Sequence, residues 1–377
     1  MRVLFWSGTF WPNIGGVEVL ASKLLPALRE RGYEYAVIAP KTHAELPDEA
    51  HYSGIPIYRF PFRNNLNDRS IDHVTETRRK IAALKRGFAP DLIHVNAVGV
   101  DNFFHVTTTN AYRAPVLVTL HGKWSKQADG IVDRTLRGAD WVVGCSVAIL
   151  KEGRKLVPEI TSRSSVIYNG LEMPSIAPMP LPFDPPRVLC LGRLAPDKGF
   201  DIVLPAFEAV LRRSPRARLV IAGNGPDRDR LEKQVADRGM HHVVEFVGWV
   251  PPSAVADLIN SSTIVVMPSR QDSFPLVALE AALMGRPLVA ARVGGLPEIV
   301  VHMETGLLVD KEDYSSLATA IYFLLEHPQA AVQMGNAARV RARTVFGWQR
   351  HVNAYDDLYQ TLTGKRPPID HPSWRVT

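Results

Sequence analysis

Cysteine is scarce in this sequence of 377 residues, and long apolar runs are missing altogether. The two cysteines, Cys145 and Cys190, each lie in a short apolar run, which predicts buried reduced thiols rather than a disulfide or a thiolate metal site. A membrane-spanning helix needs roughly 18 apolar residues, whereas the longest candidate run, residues 141–150, has ten. The apolar stretch 3–6 is too short for the core of a secretory signal peptide. We therefore expect a cytoplasmic protein.

Signatures of nucleic-acid binding and of metal binding are also missing. No zinc-finger, RRM-like or helix-turn-helix pattern is present, so we expect no nucleic-acid partner. Asp227 and Asp229 have the spacing of a metal-binding Asp-x-Asp motif, but they open a predicted helix, where acidic residues complement the helix dipole anyway. The pair His241-His242 has no further ligand at zinc spacing. We expect neither a metal nor any other cofactor.

The net charge of +6, from 44 basic and 38 acidic residues, is concentrated in the first half of the chain. Residues 1–180 carry 22 Lys and Arg against 17 Asp and Glu, and the remainder carries 22 against 21. The densest basic segments are 78–80 and 85–86. We interpret them either as a solvated helix face or as a surface for an anionic partner, such as the inner face of a membrane.

The first half of the chain alternates short apolar runs, typical of buried strands, with amphipathic segments. Leu20, Leu24 and Leu28 recur at helical spacing, which predicts a helix after the first strand. The predicted strands are 3–6, 35–39, 92–95, 116–120, 141–144 and 165–168, and in the second half 188–191, 217–222, 243–247, 263–267 and 288–291. Buried strands that alternate with helices indicate parallel sheets with helices on both faces.

Residues 173–186 interrupt this alternation, because they contain six prolines. Proline fixes φ and lacks an amide donor, so the segment is predicted to be a semi-rigid linker. It separates an N-terminal Rossmann-like domain, 1–172, from a C-terminal one, 187–348, and a helical stretch, about 349–377, closes the chain. We expect two facing α/β/α domains with the ligand site in the cleft between them, outside the carboxyl ends of the strands.

The stretch 268–287 follows a predicted strand and begins a predicted helix. Ser273 is suited to the N-cap position, and the first helical amides, those of Leu276 and Val277, have no partner inside the helix. Unpaired amides and the helix dipole favour an anion at this end. Glu280 lies about 6 Å further along the axis on the same face, where a carboxylate would meet the ribose of a bound nucleoside diphosphate. The alternative, a surface salt bridge, is poorly supported because the neighbours of Glu280 are apolar.

Arg193 and Lys198 lie in the loop that follows the first strand of the second half. A nucleoside diphosphate carries at least two negative charges, which need fixed cations and oriented amides where no metal is bound. Arginine supplies a planar fork of donors and lysine a point charge. The sequence therefore predicts a diphosphate site in this loop, the alternative being two exposed surface charges.

Two features of the first half are less specific. Gly15-Gly16 follows the first strand and would let the backbone approach a ligand closely, but it is not the GxGxxG fingerprint of a dinucleotide site. His121 stands at the carboxyl end of a predicted strand. A lone histidine is more often structural, but its place at the expected cleft favours a functional role.

Together these motifs resemble those of the GT4 family of nucleotide-sugar glycosyltransferases, which have the GT-B fold. The resemblance covers nearly the whole chain and rests on the order of short motifs: Gly15-Gly16, His121-Gly122, Tyr168-Asn169-Gly170, Gly192-Arg193-Leu194 with Lys198-Gly199, 221–226, 246–248, 268–287 and 294–299. It implies retaining glycosyl transfer from a nucleotide-diphosphate sugar without a metal, in polysaccharide or glycoconjugate biosynthesis. The first domain would bind the acceptor and the second the donor.

The resemblance also implies roles for individual residues of the second domain. Arg193 and Lys198 would hold the diphosphate. Glu280 would bind the ribose, and the backbone near Val250 would meet the base.

Further contacts to the nucleotide sugar are implied at two loops. Amides of Leu276, Val277 and the Gly15-Gly16 loop would contact phosphate. Ser273 and Phe274 complete the predicted nucleotide-sugar site. The closing helical stretch would cross back to the first domain.

One position departs from the family pattern of two glutamates separated by seven residues. The second position is Glu280, but the first is Asp272, whose side chain is one methylene shorter. In the family this carboxylate lies beside the hydroxyls of the donor sugar, so Asp272 and His121 would position the sugar, and His121 would steady the positive charge that develops on it. The implied mechanism is front-face transfer, in which the departing diphosphate oxygen takes the proton of the acceptor hydroxyl.

Two other functions stay open at this point. A sugar-nucleotide 2-epimerase shares the two-domain architecture, and a non-catalytic protein would need only the binding residues. The acceptor, whether a glycan, a glycolipid or a small molecule, is not revealed, but the loops 41–53, 61–72 and 96–113 of the first domain are candidates for binding it.

Overall fold

A computed structural model describes residues 1–13, 15–68 and 70–366 of the chain. These residues divide into two compact units. The first unit comprises residues 1–168 and the described residues from His351 onward, and the second unit comprises residues 169–350. The last part of the predicted closing stretch, 367–377, lies outside the described residues.

The first unit contains an eight-stranded sheet with helices on its faces. Its strands are β1 Arg2–Trp6, β2 Glu34–Pro40, β3 Glu49–Tyr52, β4 Ile55–Phe60, β5 Leu92–Val95, β6 Val116–Leu120, β7 Trp141–Gly144 and β8 Ser164–Val166. Its first helices are α1 Gly16–Arg29, α2 Phe62–Asn67, α3 Ile71–Phe88, α4 Asn102–Val106, α5 Asp129–Arg137 and α6 Val147–Leu156. The strand order is β3-β4-β2-β1-β5-β6-β7-β8, and every pair is parallel except β3 with β4.

The second unit contains a six-stranded parallel sheet. Its strands are β9 Arg187–Leu191, β10 Arg218–Ala222, β11 Val244–Gly248, β12 Ile264–Met267, β13 Leu288–Ala291 and β14 Gly306–Val309, in the order β11-β10-β9-β12-β13-β14. Its helices are α7 Phe200–Leu211, α8 Arg228–Asp237, α9 Pro252–Asn260, α10 Leu276–Leu283, α11 Leu296–Ile299, α12 Tyr314–Glu326 and α13 Pro328–Val345. The doubly wound α/β prediction is confirmed in both units.

Burial explains why these segments form parallel sheets. All four residues of β5 and all five of β6 are buried, as are those of β12 and β13. Strands covered by helices on both faces have continuous apolar sequences of this kind. Both cysteines are buried free thiols, as predicted.

The last described helix, α14 Trp348–Leu362, packs on the first sheet through buried aromatic side chains. His94 of β5 hydrogen-bonds the hydroxyl of Tyr359 at 2.6 Å and that of Thr119 at 2.8 Å. The Thr119 hydroxyl also lies 3.2 Å from the hydroxyl of Tyr355. These contacts place α14 in the first unit, although it follows the second unit in sequence.

The proline-rich segment 173–186 contains no helix or strand, and it is held against the second unit by hydrogen bonds. The Asn260 side chain donates to the carbonyl of Ala177 and accepts from the amide of Met179, both at 3.0 Å. The guanidinium of Arg286, which is 1% exposed, donates to the Met179 carbonyl at 2.8 Å. The segment is thus attached to one unit rather than free between the two.

Most of the basic cluster of α3 lies on a solvated helix face, as one interpretation expects, since residues 78–80 and Arg86 are exposed. Lys85 is the exception. Lys85 is fully buried beneath the Trp6 ring, and burial lowers the pKa of its ammonium to about 7. Arg79 and Lys80 both pair with Glu76. Within the described parts of the chain, no helix combines the length and the apolar character needed to cross a membrane.

Candidate active site

Two loops meet at the carboxyl edge of the second sheet, because the strands that precede them are neighbours. The β9 loop (192–199) follows β9, the β12 loop (268–275) follows β12, and these strands pair in parallel. The carbonyl of Asp197 accepts the amides of Arg270 at 2.9 Å and Gln271 at 3.2 Å. Two predicted site segments, 74 residues apart in sequence, are therefore in direct contact.

Lys198 and Asp272 form an ion pair across this junction. The Lys198 ammonium donates to Oδ2 of Asp272 at 2.7 Å, and the Ser269 hydroxyl donates to the same oxygen at 3.2 Å. The Asp272 side chain is 8% exposed and that of Lys198 is 23% exposed. A charge-assisted hydrogen bond at this burial is stronger than a surface ion pair, so the two side chains hold each other in place.

Arg270 fixes the two loops to the helix that follows the β9 loop. Its guanidinium donates to both carboxylate oxygens of Asp201 in α7, at 2.8 and 2.9 Å, and to the carbonyl of Pro196 at 2.8 Å. Burial would raise the pKa of the Asp201 carboxyl, but the hydrogen bonds from Arg270 hold it below its usual range. The backbone that carries Lys198 is thereby held rigidly.

Glycines permit the close approach of neighbouring loops at this edge. A Cβ atom on Gly294 would lie 1.6 Å from the carbonyl oxygen of Asp272, and one on Gly223 would lie 1.8 Å from that of Gly192. Both glycines have positive φ, +52° and +129°. Any side chain at Gly294 would therefore displace the backbone of Asp272.

The helix of the 268–287 stretch begins at Leu276, with Pro275 at the N-cap position and no side-chain cap. The expectation of Ser273 as the N-cap is therefore wrong, since two residues separate it from the helix and Pro275 takes the extended cap conformation. Leu276 and Val277 are half-buried at the tip, and Glu280, one turn further along, is also half-buried. Phe274 is buried against Phe346.

Arg193 and Val250 are near this edge but are held less tightly. Arg193 is largely exposed, with 67% of its side chain accessible, and donates to Asp197 at 3.2 Å. Val250 is half-buried two residues past β11. In the strand order β10 separates β11 from β9. The residues that follow β10 contact the β9 loop, because the amide of Leu194 donates to the carbonyl of Asn224 at 2.9 Å.

The carboxyl edge of the first sheet carries His121. Its Nε2 lies 3.0 Å from the side-chain oxygen of Asn96, which directly follows β5, and its Nδ1 is buried without a partner among residues 1–13, 15–68 and 70–366. Burial, together with nearby His351, lowers the pKa of His121 to about 3. The imidazole is therefore neutral at physiological pH.

Gly15 and Gly16 form the start of α1, with Gly15 in extended conformation at the N-cap. The carboxylate of Glu18, in the first turn, lies over Gly15 and accepts a hydrogen bond from the Thr9 hydroxyl. A phosphate at this loop would face that carboxylate, which is a constraint the glycine motif alone does not show.

Several residues of the site belong to no motif that would have identified them from the sequence. Ser269, Asp197 and Arg270 support Lys198 and Asp272, and Asn96 orients His121. Each lies just beyond or near the carboxyl end of a strand, which is the one feature by which they could have been found. Asp227, which we did not expect to bind a metal, pairs with Arg230 at 2.8 Å. Within the described segments no group of three or more His, Cys, Asp or Glu is placed to hold a metal ion.

Family models match both halves of the chain. Residues 14–174 match the model described as glycosyltransferase family 4, and residues 176–341 match that described as glycosyl transferases group 1. The two matches together span most of the sequence. The chain belongs to the GT4 glycosyltransferases. The resemblance found in the motifs is thus confirmed.

Relatives of this GT4 glycosyltransferase include whole-length and partial matches. It is 28% identical to glycogen synthase of Mycobacterium tuberculosis, over 98% of this chain and 97% of the relative. It is 35% identical to a GDP-mannose-dependent phosphatidylinositol monomannoside mannosyltransferase of Mycolicibacterium smegmatis, over 48% of this chain and 49% of the relative.

Solved structures confirm the GT-B fold of the glycosyltransferase. Sucrose-phosphate synthase from Thermosynechococcus elongatus superposes with a TM-score of 0.83 at 23% identity, over 97% of this chain and all of that one. HepE of Anabaena, solved in complex with UDP-glucose, gives a TM-score of 0.75 at 20% identity, over 97% of this chain and all of that one.

Proposed function

We propose that this glycosyltransferase moves a hexose from a UDP- or GDP-sugar to an acceptor hydroxyl, with retention of the anomeric configuration and without a metal. The observation that carries the proposal is the position of Lys198. A half-buried ammonium stands at the carboxyl edge of the second sheet, in contact with the loop that leads into the α10 tip. A cation and free helical amides together suit a diphosphate.

The donor is proposed from the site and from what two relatives bind. HepE was solved with UDP-glucose, and the mycobacterial mannosyltransferase depends on GDP-mannose. In this chain Lys198 and Arg193 would neutralise the diphosphate, with the amides of Leu276 and Val277 at its other side. Glu280 would accept hydrogen bonds from the ribose, and the backbone at Val250 would meet the base.

Lys198 can serve both Asp272 and a phosphate, because an ammonium has three donors. Its bond to Asp272 directs the remaining N–H groups outward from a fixed position. As the bond between the anomeric carbon and the phosphate oxygen breaks, negative charge grows on the diphosphate. Preorganised donors stabilise that charge, and one such donor is typically worth about a hundredfold to a thousandfold in rate.

Retention follows from front-face attack. The acceptor oxygen bonds to the anomeric carbon on the side from which the diphosphate departs, and its proton passes to the departing phosphate oxygen. No protein nucleophile is needed. Asp272 would position the sugar of the donor. His121, which is held by Asn96 and neutral, would add no positive charge to a cationic sugar that reaches it.

The epimerase and the non-catalytic protein are not favoured, because both family models describe glycosyl transferases. The enzyme is proposed to act in the cytoplasm. Contact of the first unit with an anionic membrane rests on the charge imbalance alone, and a salt-sensitive sedimentation with anionic vesicles tests it.

The activity is tested by incubating the enzyme with UDP-glucose or GDP-mannose in EDTA, with water as the acceptor. NMR follows the nucleoside diphosphate and the anomer of the released sugar. We expect an α-configured product at first appearance. Asp272→Ala should lower turnover at least a hundredfold, because it removes the group proposed to position the sugar and releases Lys198. The control is Asp310→Ala, at a side chain that is 84% exposed. Full turnover of Asp272→Ala, a β-configured product or loss of activity in EDTA would contradict the proposal.

A further inference from the structure

The first unit contains a cavity of about 900 Å³ between α3, the end of β4 and the loop 41–48 that joins β2 to β3. Both β2 and β4 end here, at Pro40 and Phe60. Their carboxyl ends share an edge of the sheet with those of β1 and β6, because these strands are parallel. The cavity therefore opens along the same edge that carries His121.

Arg59 is the unusual residue of the cavity lining. It is 4% exposed, and its guanidinium donates to two backbone carbonyls, that of Pro47 at 3.1 Å and that of Trp11 at 2.8 Å. Of the residues that the structure describes, none supplies a carboxylate to it. A buried charge is normally paired with an opposite charge, so this cation lacks the partner that its burial calls for.

The other ionic groups of the lining are already neutralised or exposed. Lys41 pairs with Asp48 at 2.8 Å, and Lys80 pairs with Glu76 at 3.6 Å. The remaining carboxylate, Glu49, is exposed to solvent. The guanidinium of Arg59 thus differs from its neighbours, since it has five N–H groups and two of them donate to backbone carbonyls.

The remaining lining suits a hydroxylated molecule. It combines amide, hydroxyl and imidazole groups with aromatic surfaces, namely Asn64, Asn65, His73, Thr77, Tyr58 and Phe60. Asn64 and His73 can exchange hydrogen bonds with hydroxyls, which both donate and accept. Asn65 and Thr77 bond each other at 2.7 Å. Aromatic rings pack against the C–H faces of a polyol ring.

We propose that this cavity binds a polyol or sugar that carries one phosphate or carboxylate group, with the oxyanion on Arg59. A planar guanidinium matches such a group with two parallel hydrogen bonds. That this molecule is the glycosyl acceptor rests on the proposed function. The binding itself does not, because it uses residues of the first unit only.

The test measures binding of three probes by isothermal titration calorimetry: glucose 6-phosphate, glucuronate and glucose. The first two distinguish phosphate from carboxylate, and glucose reports the contribution of the hydroxyls alone. We expect at least one anionic probe to bind at least tenfold tighter than glucose, and Arg59→Gln to remove that difference. Failure of both anionic probes to bind better than glucose would overturn the proposal.

A second variant covers the case in which Arg59→Gln does not fold. Asn64→Asp places a carboxylate at an exposed position of the lining, and it should weaken the anionic probe tenfold or more while leaving glucose unchanged. The matched control is Arg63→Gln, outside the lining, at a side chain that is 73% exposed. Unchanged affinity in Asn64→Asp would contradict the site. UDP binding, measured in the same samples, reports separately on the donor site.

Discussion

Lys198 and Asp272 show how much of the site depends on contacts that no motif contains. Lys198 is predicted from its place after a strand and Asp272 from the family pattern, with separate roles, one toward the diphosphate and one toward the sugar. The structure joins them at 2.7 Å and adds the Ser269 hydroxyl on the same oxygen. The shorter side chain of Asp272 is thus fixed by Lys198. This contact gives a role to the aspartate that stands where the family pattern has a glutamate.

Gly294 is the residue whose substitution best tests the rigidity of this site. Gly294→Ala would put a Cβ 1.6 Å from the Asp272 carbonyl at a φ of +52°. Both the clash and the left-handed conformation oppose it, so we expect a loss of about 2–4 kcal/mol in the free energy of unfolding. Urea denaturation measures this loss, and turnover should fall with it because Asp272 moves.

Gly239 provides the matched control for that substitution. Its φ is +66°, but a Cβ there would meet nothing within 4 Å. Gly239→Ala should therefore cost only about 1 kcal/mol, the price of the left-handed conformation, with turnover unchanged. Equal losses in the two variants would show that the contact between Gly294 and Asp272 has no effect of its own.

At the scale of elements, most of the buried parallel strands were predictable, including β8 and β11 at the edges of their sheets. Each predicted strand is present, because a strand covered on both faces has a continuous apolar sequence. The two strands β3 and β4 were missed. The four residues of β3 are exposed or half-buried in alternation at the edge of the sheet, and such a short, polar strand has little hydrophobic pattern to detect. The four-residue β14 was also missed, although all four of its residues are buried.

The start of α10 could not be located from composition. Ser273 is a good N-cap residue by type, but Pro275 occupies the N-cap position, with a φ of −72°. The proline ring fixes φ near this value. The predicted amides, those of Leu276 and Val277, are nonetheless the first of the helix. The predicted N-cap was therefore wrong by two residues, but the helix end that was expected to bind an anion is the same.

At the scale of the whole molecule, the two units differ in their content of buried histidine. Burial lowers the pKa of four histidines, to about 3 for His105 and His121, to about 4 for His351, and well below the usual range for His94. All four belong to the first unit. In the unfolded chain they would take up protons near pH 6.5.

This difference predicts that acid destabilises the first unit before the second. Because the folded histidines stay neutral down to pH 3–4 while the unfolded ones are protonated below about 6.5, stability is full above pH 6.5 and falls as the pH drops toward 4. Peptide-resolved hydrogen exchange at pH 7.5 and 5.0, corrected for intrinsic rates, should show protection lost in β5, β6 and α14 and retained in β9 and β12. An equal loss in both units would contradict this assignment.

The central claim, that Lys198 neutralises a bound diphosphate, is tested most directly by one equilibrium measurement. Dissociation constants of UDP and GDP are compared for the wild type, for Lys198→Glu and for Lys233→Glu, a charge reversal at an exposed position of α8. The account predicts that Lys198→Glu weakens the preferred nucleotide about a hundredfold, whereas Lys233→Glu changes it less than threefold. Equal affinity of the wild type and Lys198→Glu would contradict it.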